Sequence, residues 1–384
     1  MKRVTILGST GSIGKNTLEV IRHFKEKFKV IGLVAGKNTD LLLKQATEFK
    51  PQYVALDSRR EYEWFRQQAE HLPVTVLQGE KGAREIAGLE ENDIVISAIT
   101  GIRGLKPTLA AVKAGKRIAL ANKESMVAGG KLIQEEASRS GAEIIPVDSE
   151  HSGVYQCLSK EKLDHVRKVI LTASGGPFFK TPKEKLSAVS IEDTLKHPRW
   201  KMGAKVTVDS ATMMNKGLEL IEARWLFGLP PEKLDILIHP QSIVHSLVEM
   251  KDGSFLAQLS PTDMKIPIQF ALSAPSREEG IIPSLDLARV RSLEFFKVDE
   301  EKFPLVSLAR KVLAENQSKS VTLNAANEVT VAAFLKGRIG FTRIHQIVME
   351  VVEKHSHQSA STLEDILALD REARIQTQKI LERR

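Results

Sequence analysis

The carboxylates Asp148, Glu150 and Glu219, an ammonium group and a carboxamide fall in two short segments of the chain. In Pro146-Val147-Asp148-Ser149-Glu150-His151-Ser152, Asp148 and Glu150 stand two residues apart. In extended backbone their side chains leave on one face. The second segment is Val208-Asp209-Ser210-Ala211-Thr212-Met213-Met214-Asn215-Lys216-Gly217-Leu218-Glu219. A helix from Asn215 onward puts Asn215 and Lys216 four and three residues before Glu219, on its face. Three carboxylates without a thiolate suit a hard divalent ion such as Mg²⁺ or Mn²⁺, which keeps positions open for water or substrate oxygens. The alternative is that they are capping and surface acids, since Asp148 and Ser149 also stand where N-caps stand.

A second kind of chemistry is written at the N-terminus. Val4-Thr5-Ile6-Leu7 runs into Gly8, Gly11 and Gly14, and an amphipathic stretch follows. A strand, three glycines and a helix start form the geometry that holds a pyrophosphate. The first glycine turns the chain, the second admits the anion, and the third lets helix and strand pack. Free N–H groups of the helix start face the ligand. The next strand, Val30–Ala35, ends in Gly36-Lys37-Asn38 rather than in an acid that would accept from ribose hydroxyls. That ending favours the 2′-phosphate of NADP over NAD; the alternative is a solvated loop lysine.

Three further segments carry polar chemistry. Thr172-Ala173-Ser174-Gly175-Gly176-Pro177 offers N–H groups and a hydroxyl, as a phosphate nest or an ordinary Gly-Pro turn would. His197-Pro198-Arg199-Trp200-Lys201-Met202-Gly203 reads as an aromatic-bearing loop able to close over a ligand. His239 and His245 lie in or beside strands and are expected to be satisfied core or interface residues. Cys157, in the apolar run Val154–Leu158, reads as packing rather than as a nucleophile.

The elements that must position these groups follow from periodicity. Strands are expected at Val4–Leu7, Val30–Ala35, Tyr53–Leu56, Val74–Leu77, Ile94–Ala98, Arg117–Ala121 and Glu143–Val147, with helical stretches such as Asp40–Phe49, Arg59–His71 and Leu105–Ala114 between them. This alternation predicts an α/β fold: an N-terminal Rossmann-like, doubly wound parallel sheet over residues 1–150, binding ligands beyond the strand carboxyl ends. Residues 151–274 read as a central α+β domain, with strands Lys168–Thr172 and Asp235–Ile238 and a hairpin, Val244–Met250 with Ser254–Leu259, around Lys251-Asp252-Gly253. Residues 275–301 read as a linker. Residues 302–384 read as a C-terminal helical domain with helices Pro304–Glu315, Ala325–Lys336, Phe341–Lys354 and Thr362–Leu381.

Composition agrees with several domains. The 384 residues exceed one ordinary domain, and 42% hydrophobic with 27% charged residues is the balance of a globular protein in water. The net charge of +8 is scattered, which suits phosphorylated small molecules better than nucleic acid. A single cysteine excludes an internal disulfide and a thiolate-rich metal site. A strand beginning at Val4 leaves no room for a targeting peptide, and no apolar run reaches membrane-spanning length, so a cytoplasmic enzyme is expected.

Taken in order, Gly8–Gly14, Ala121-Asn122-Lys123-Glu124-Ser125, Pro146–Ser152, Thr172–Pro177, His197–Gly203 and Val208–Glu219 closely resemble the 1-deoxy-D-xylulose 5-phosphate reductoisomerase family. The likeness runs from Val4 through the C-terminal helices and departs from the pattern at none of these motifs. It implies an NADPH-dependent rearrangement and reduction, by retro-aldol cleavage and aldol re-joining on a divalent metal followed by hydride transfer. The product is 2-C-methyl-D-erythritol 4-phosphate of the non-mevalonate isoprenoid pathway. The resemblance further implies that the central α+β domain, residues 151–274, is the catalytic domain binding metal and substrate, and that Asp148, Glu150 and Glu219 ligate Mg²⁺ or Mn²⁺, with Lys123 beside them in catalysis. Lys123, Ser149, Glu150, Ser174, His197, Ser210, Asn215, Lys216 and Glu219 would meet the substrate. Thr10, Gly11, Ser12, Ile13, Gly36, Lys37, Asn38, Asn122, Glu124 and Gly203 would meet NADPH, and Trp200 and Met202 would belong to the closing loop. A homodimer built through the central domain is also implied.

Two other readings start from the same glycine turn. An NADP-dependent semialdehyde or acyl-phosphate reductase would need a cysteine thiolate, for which Cys157 is the sole candidate. A nucleotide-sensing regulator would leave the three carboxylates without a purpose.

Overall fold

In the computed structural model, which describes residues 1–200 and 202–383, strands and helices alternate through the first part of the chain. The order is β1 (Lys2–Leu7), α1 (Ser12–His23), β2 (Phe28–Ala35), α2 (Thr39–Phe49), β3 (Tyr53–Leu56), α3 (Arg59–Gln68), β4 (Thr75–Gln78) and α4 (Gly79–Ala87). It continues with β5 (Ile94–Ser97), α5 (Leu105–Lys113), β6 (Arg117–Leu120), α6 (Lys123–Ser140), β7 (Glu143–Pro146) and α7 (Ser149–Leu158). All seven strands lie in one parallel sheet, β4-β3-β2-β1-β5-β6-β7. Helices cover both faces of such a sheet, so its strands read as continuous apolar runs: Val4, Ile6, Leu33, Val54, Ile94, Ile96 and Ile118 are all fully buried. Strand order reverses between β1 and β5, and the crevice outside that switch point is where ligands bind in open α/β sheets.

The chain divides into two compact units, the first made of Met1–Ser125, Ile133–Ser152 and Asp263–Pro283. Residues 263–283 therefore pack with the parallel sheet, not with the central region to which periodicity assigned most of them. Their helix α11 (Lys265–Ser273) buries Ile268, Ala271 and Leu272, and Lys265 pairs with Glu19 at 3.1 Å. Arg117 donates to the Ala274 carbonyl at 2.6 Å. A helix that returns to a sheet from far along the chain leaves no mark on the strand–helix alternation.

The second unit comprises Met126–Leu132, Gly153–Thr262 and Ser284–Arg384. Its elements are β8 (Val166–Ala173), α8 (Ile191–Leu195), α9 (Ala204–Ala211), α10 (Met214–Phe227), β9 (Leu234–Ile238), β10 (Val244–Met250) and β11 (Phe255–Leu259). Then come α12 (Leu287–Val290), α13 (Pro304–Ala314), α14 (Gln317–Leu335), α15 (Phe341–Glu353) and α16 (Leu363–Glu382). The sheet order is β11-β10-β8-β9, with β10 antiparallel to both neighbours and β8 parallel to β9. Gly253 closes the expected hairpin at φ +87°, a conformation glycine adopts without steric cost.

One apolar core joins Leu171 and Ile236 of this sheet to Leu218 and Ile221 of α10, Leu305 and Ala309 of α13, Leu323 of α14, Val348 of α15 and Ile380 of α16. The C-terminal helices are thus the cover of the central sheet. Helix α14 begins at Gln317, well before the expected Ala325, because its first turns bury polar residues. Ser318, Ser320, Thr322 and Asn324 hide the apolar period, and Thr322 and Ser318 both bond to His355 at 3.0 Å.

A stability prediction follows from the first turn. A methyl added at Gly14 would meet the carbonyl oxygens of Gly8 and Ser9 at 2.4 Å, whereas one at Gly36 has no neighbour within 4 Å. Gly14→Ala should cost about 2 kcal/mol or more in urea unfolding, on the scale of overpacking. Gly36→Ala should stay within about 0.5 kcal/mol of wild type. Equal midpoints for the two variants would contradict this account of the turn.

Candidate active site

The nucleotide-side residues stand at carboxyl ends of the parallel strands. Gly8 adopts φ +92°, and a side chain there would strike the Ala98 carbonyl at 2.6 Å. Its N–H and that of Ser9 donate to the Val34 carbonyl at 2.8 and 2.9 Å, which ties the turn to β2. Thr10 and Gly11 follow in the turn, and Ser12 and Ile13 open α1, whose first turn holds no acid. Gly36, Lys37 and Asn38 are exposed after β2. Asn38 caps α2 by accepting from the Leu41 N–H at 3.2 Å.

Asn122 and Glu124 are buried where β6 passes into α6. The Asn122 amide donates to the Ile99 and Gly101 carbonyls at 2.6 and 3.1 Å and to Glu124 at 3.0 Å. Its oxygen caps α6 at Ser125. Asn122 therefore welds the loop after β5 to the helix that begins with Lys123.

Lys123 donates to Asp148 Oδ2 at 2.7 Å. The other oxygen, Oδ1, accepts from the Glu150 and His151 N–H groups at 3.2 and 3.4 Å, so Asp148 is the N-cap of α7 that the alternative reading named. Capping uses one carboxylate edge only. Ser149 donates to Glu150 at 3.0 Å. Helix α10 does start where required: Asn215 and Lys216 both donate to the fully buried Glu219 at 2.5 Å. Asp148 and Glu150 stand at the start of α7 in the first unit, with Lys123 beside Asp148, and Glu219 lies on α10 in the second, with Lys216 beside it. Carboxylate oxygens without sulfur or ring nitrogen are the kind of donor that a hard divalent cation takes.

Ser174, His197 and Ser210 form a separate polar group. His197 Nδ1 accepts from the Arg199 and Trp200 N–H groups at 3.2 and 2.9 Å and so carries no proton. Nε2 carries it and faces Ser174 Oγ and Ser210 Oγ, each at 3.0 Å. Burial pushes the His197 pKa down to about 4, which agrees with a neutral ring. The glycines beside Ser174 are structural requirements. Gly176 lies at φ +66°, and a side chain there would meet the Ser210 carbonyl at 2.5 Å, while its N–H donates to Ser174 Oγ at 3.2 Å. The Thr172–Pro177 turn thus brings the Ser174 hydroxyl against α9. Gly203 caps the start of α9 and is exposed.

Some expectations need correction or addition. Trp200 is half-buried, its ring 6.3 Å from that of His245. Burial pushes the Cys157 thiol up to about 11, which removes the thiolate that a semialdehyde reductase would need. Both strand-side histidines are buried as expected, His239 bonding through Nδ1 to the Glu294 carbonyl at 2.9 Å and His245 through Nε2 to the Ser260 carbonyl at 3.3 Å. His151 was not singled out, yet it is fully buried with Nδ1 3.3 Å from Asp148 Oδ1. Its place three residues after Asp148 on a helix start was the available signal.

The profile of 1-deoxy-D-xylulose 5-phosphate reductoisomerase matches residues 4–130, and those of its C-terminal domains match 144–227 and 259–376. A protein of that name from Thermodesulfovibrio yellowstonii is 48% identical over 379 residues, covering 99% of both chains. The one from Geotalea uraniireducens is 47% identical over 381 residues, again with 99% of each chain covered. Among solved structures, a DOX-P reductoisomerase in complex with NADPH, fosmidomycin and magnesium superposes with a TM-score of 0.96 at 40% identity, covering 100% of this chain and 98% of that one. The reductoisomerase of Zymomonas mobilis in complex with NADPH gives 0.94 at 41% identity, with full coverage of both. Matched along nearly its whole length, the chain belongs to the 1-deoxy-D-xylulose 5-phosphate reductoisomerase family.

Proposed function

We propose that this chain converts 1-deoxy-D-xylulose 5-phosphate and NADPH, with one proton, to 2-C-methyl-D-erythritol 4-phosphate and NADP⁺. The observation that carries this reading is that a member of this family holds Asp148 and Glu150 with Lys123 in its first unit and Glu219 with Lys216 in its second. The three carboxylates offer hard oxygen donors and no sulfur or ring nitrogen, the donor set that magnesium or manganese takes. A bound divalent ion supplies Lewis-acid stabilisation of negative charge on substrate oxygens, and NADPH supplies the hydride.

The remaining work falls to the chain itself. Lys123 brings an ammonium to the substrate keto and hydroxyl oxygens as the carbon skeleton is cleaved by retro-aldol chemistry and re-joined by aldol chemistry. Ser149 orients the same oxygens. Ser174, His197, Ser210, Asn215 and Lys216 hold the substrate and its phosphate. The neutral His197 donates through Nε2, so it contributes a hydrogen bond rather than a fixed charge. Thr10, Gly11, Ser12 and Ile13 present N–H groups to the pyrophosphate, and Lys37 and Asn38 meet the 2′-phosphate. Asn122, Glu124 and Gly203 complete the cofactor contacts. The loop with Trp200 and Met202 keeps water from the aldehyde until it is reduced. The enzyme acts as a cytoplasmic homodimer. In support, no helix among the described residues is long and apolar enough to cross a membrane, and the edge strand β11 leaves Phe255 54% exposed.

Three measurements test the reading. Steady-state kinetics with 1-deoxy-D-xylulose 5-phosphate should show NADPH used far better than NADH, and Lys37→Asp should raise the KM for NADPH. Equal efficiency of the wild type with both cofactors would remove the 2′-phosphate assignment. Glu219→Gln should weaken divalent-ion affinity and lower kcat by roughly two orders of magnitude, the scale of a lost transition-state contact. NADPH binding should stay close to wild type, and wild-type activity that survives exhaustive chelation would refute the metal site.

The third concerns His197. Its folded pKa of about 4 lies below its ordinary value of 6.5. The unfolded chain therefore binds more protons between those values, so this residue costs stability as pH falls through that window and nothing above it. Imidazole NMR of the free protein should show His197 neutral from pH 5 upward, and a titration midpoint near 6.5 would contradict the buried geometry.

A further inference from the structure

Asp209 precedes Ser210 on α9, is 1% exposed, and has no part in the chemistry described so far. Lys205, one turn earlier, holds its ammonium 2.7 Å from Asp209 Oδ2. Asn327 of α14, fully buried, donates its amide to Asp209 Oδ1 at 2.9 Å. Around that bond Val208 and Ala211 of α9 pack with Val331 and Phe334 of α14 and with Phe341 and Ile344 of α15.

The two kinds of contact do different work. Apolar packing is non-directional: it sets how near α9 lies to α14 but leaves the rotation of α9 about its axis weakly specified. A buried hydrogen bond to a carboxylate is directional and expensive to leave unmade. Asp209 and Ser210 are adjacent in one helix, so any rotation that breaks the first bond also carries the Ser210 hydroxyl away from His197. Helix α14 is itself anchored beside Asn327. Glu328 accepts from Asn324 at 2.9 Å and from Arg374 of α16 at 2.6 Å, and Arg374 bonds Asp370 at 2.7 Å.

We infer that Asn327 is a positioning residue for sugar-phosphate binding: by holding Asp209 it fixes the rotation of α9 and with it the place of Ser210 Oγ against His197. The C-terminal helices thereby tune substrate affinity without touching the substrate. The inference rests on the reading of Ser174, His197 and Ser210 as a phosphate-binding group.

The test is steady-state kinetics of the full-length enzyme with 1-deoxy-D-xylulose 5-phosphate, magnesium and NADPH, using Asn327→Leu and the exchanged pair Asp209→Asn/Asn327→Asp. In the exchanged pair donor and acceptor change places and the bond can re-form. Asn327→Leu should raise the KM for the sugar phosphate on the order of tenfold, the scale of a lost hydrogen bond to a charged group. Its kcat and its KM for NADPH should stay near wild type, and the exchanged pair should recover most of the lost affinity. A role confined to folding predicts a lower melting temperature with unchanged KM, which would overturn the inference. A sugar-phosphate KM in the exchanged pair on the order of tenfold above wild type would overturn it too, and this arm can be read even if Asn327→Leu does not fold. A wild-type enzyme inactive on this sugar phosphate would instead overturn the proposed function.

Discussion

The burial of the Glu219 carboxylate constrains much of what surrounds it. Taking an ion out of water costs several kcal/mol unless charge and hydrogen bonds are supplied on the spot. Here the supply comes from within one helical turn and a half, through Lys216 and Asn215 at 2.5 Å each. Those three side chains can meet only if α10 is already helical at its first residues. That requirement places an abrupt junction at Met213, which holds the left-handed φ of +61° although it is not glycine. The strained residue is buried in the apolar core, whose packing offsets the roughly 1–2 kcal/mol such a conformation costs. The junction separates α9 from α10, and Ser210 bonds to His197 while Glu219 bonds to Asn215 and Lys216.

Charge compensation recurs at the other carboxylates. Asp148 divides its oxygens between the start of α7 and the Lys123 ammonium. A side chain that caps a helix is held in one rotamer, so Asp148 presents its oxygens in a fixed direction. Capping uses Oδ1 alone and leaves Oδ2 to the Lys123 ammonium. His197 follows a different principle: two backbone donors on Nδ1 fix its tautomer, and the ring supplies a directed N–H without a permanent charge.

The parallel sheet does its work through close approach. Gly8 and Gly14 are needed because carbonyl groups occupy the space a side chain would take, and the turn they form is tied to β2 by two N–H bonds to Val34. In the second unit, α13 to α16 bury the face of α10 and the sheet behind it, so the helices furthest along the chain support residues much earlier in it.

The strands of the parallel sheet, the β10–β11 hairpin and the glycine turn were legible in the sequence because each is a local pattern. A strand buried on both faces is an apolar run, a hairpin needs its turn residues, and a pyrophosphate turn needs glycine at fixed spacing. Asn215, Lys216 and Glu219 were legible for the same reason, since helical spacing alone puts them together. The pairing of His197 with Ser174 and Ser210, the burial of His151 and the reach of Asn327 to Asp209 were decided only by tertiary structure. So were the attachment of α11 to the first unit and the early start of α14. Each of these joins residues far apart in the chain or buries polar side chains, and in both cases the stabilising partner lies outside any window in which a periodic pattern could show it.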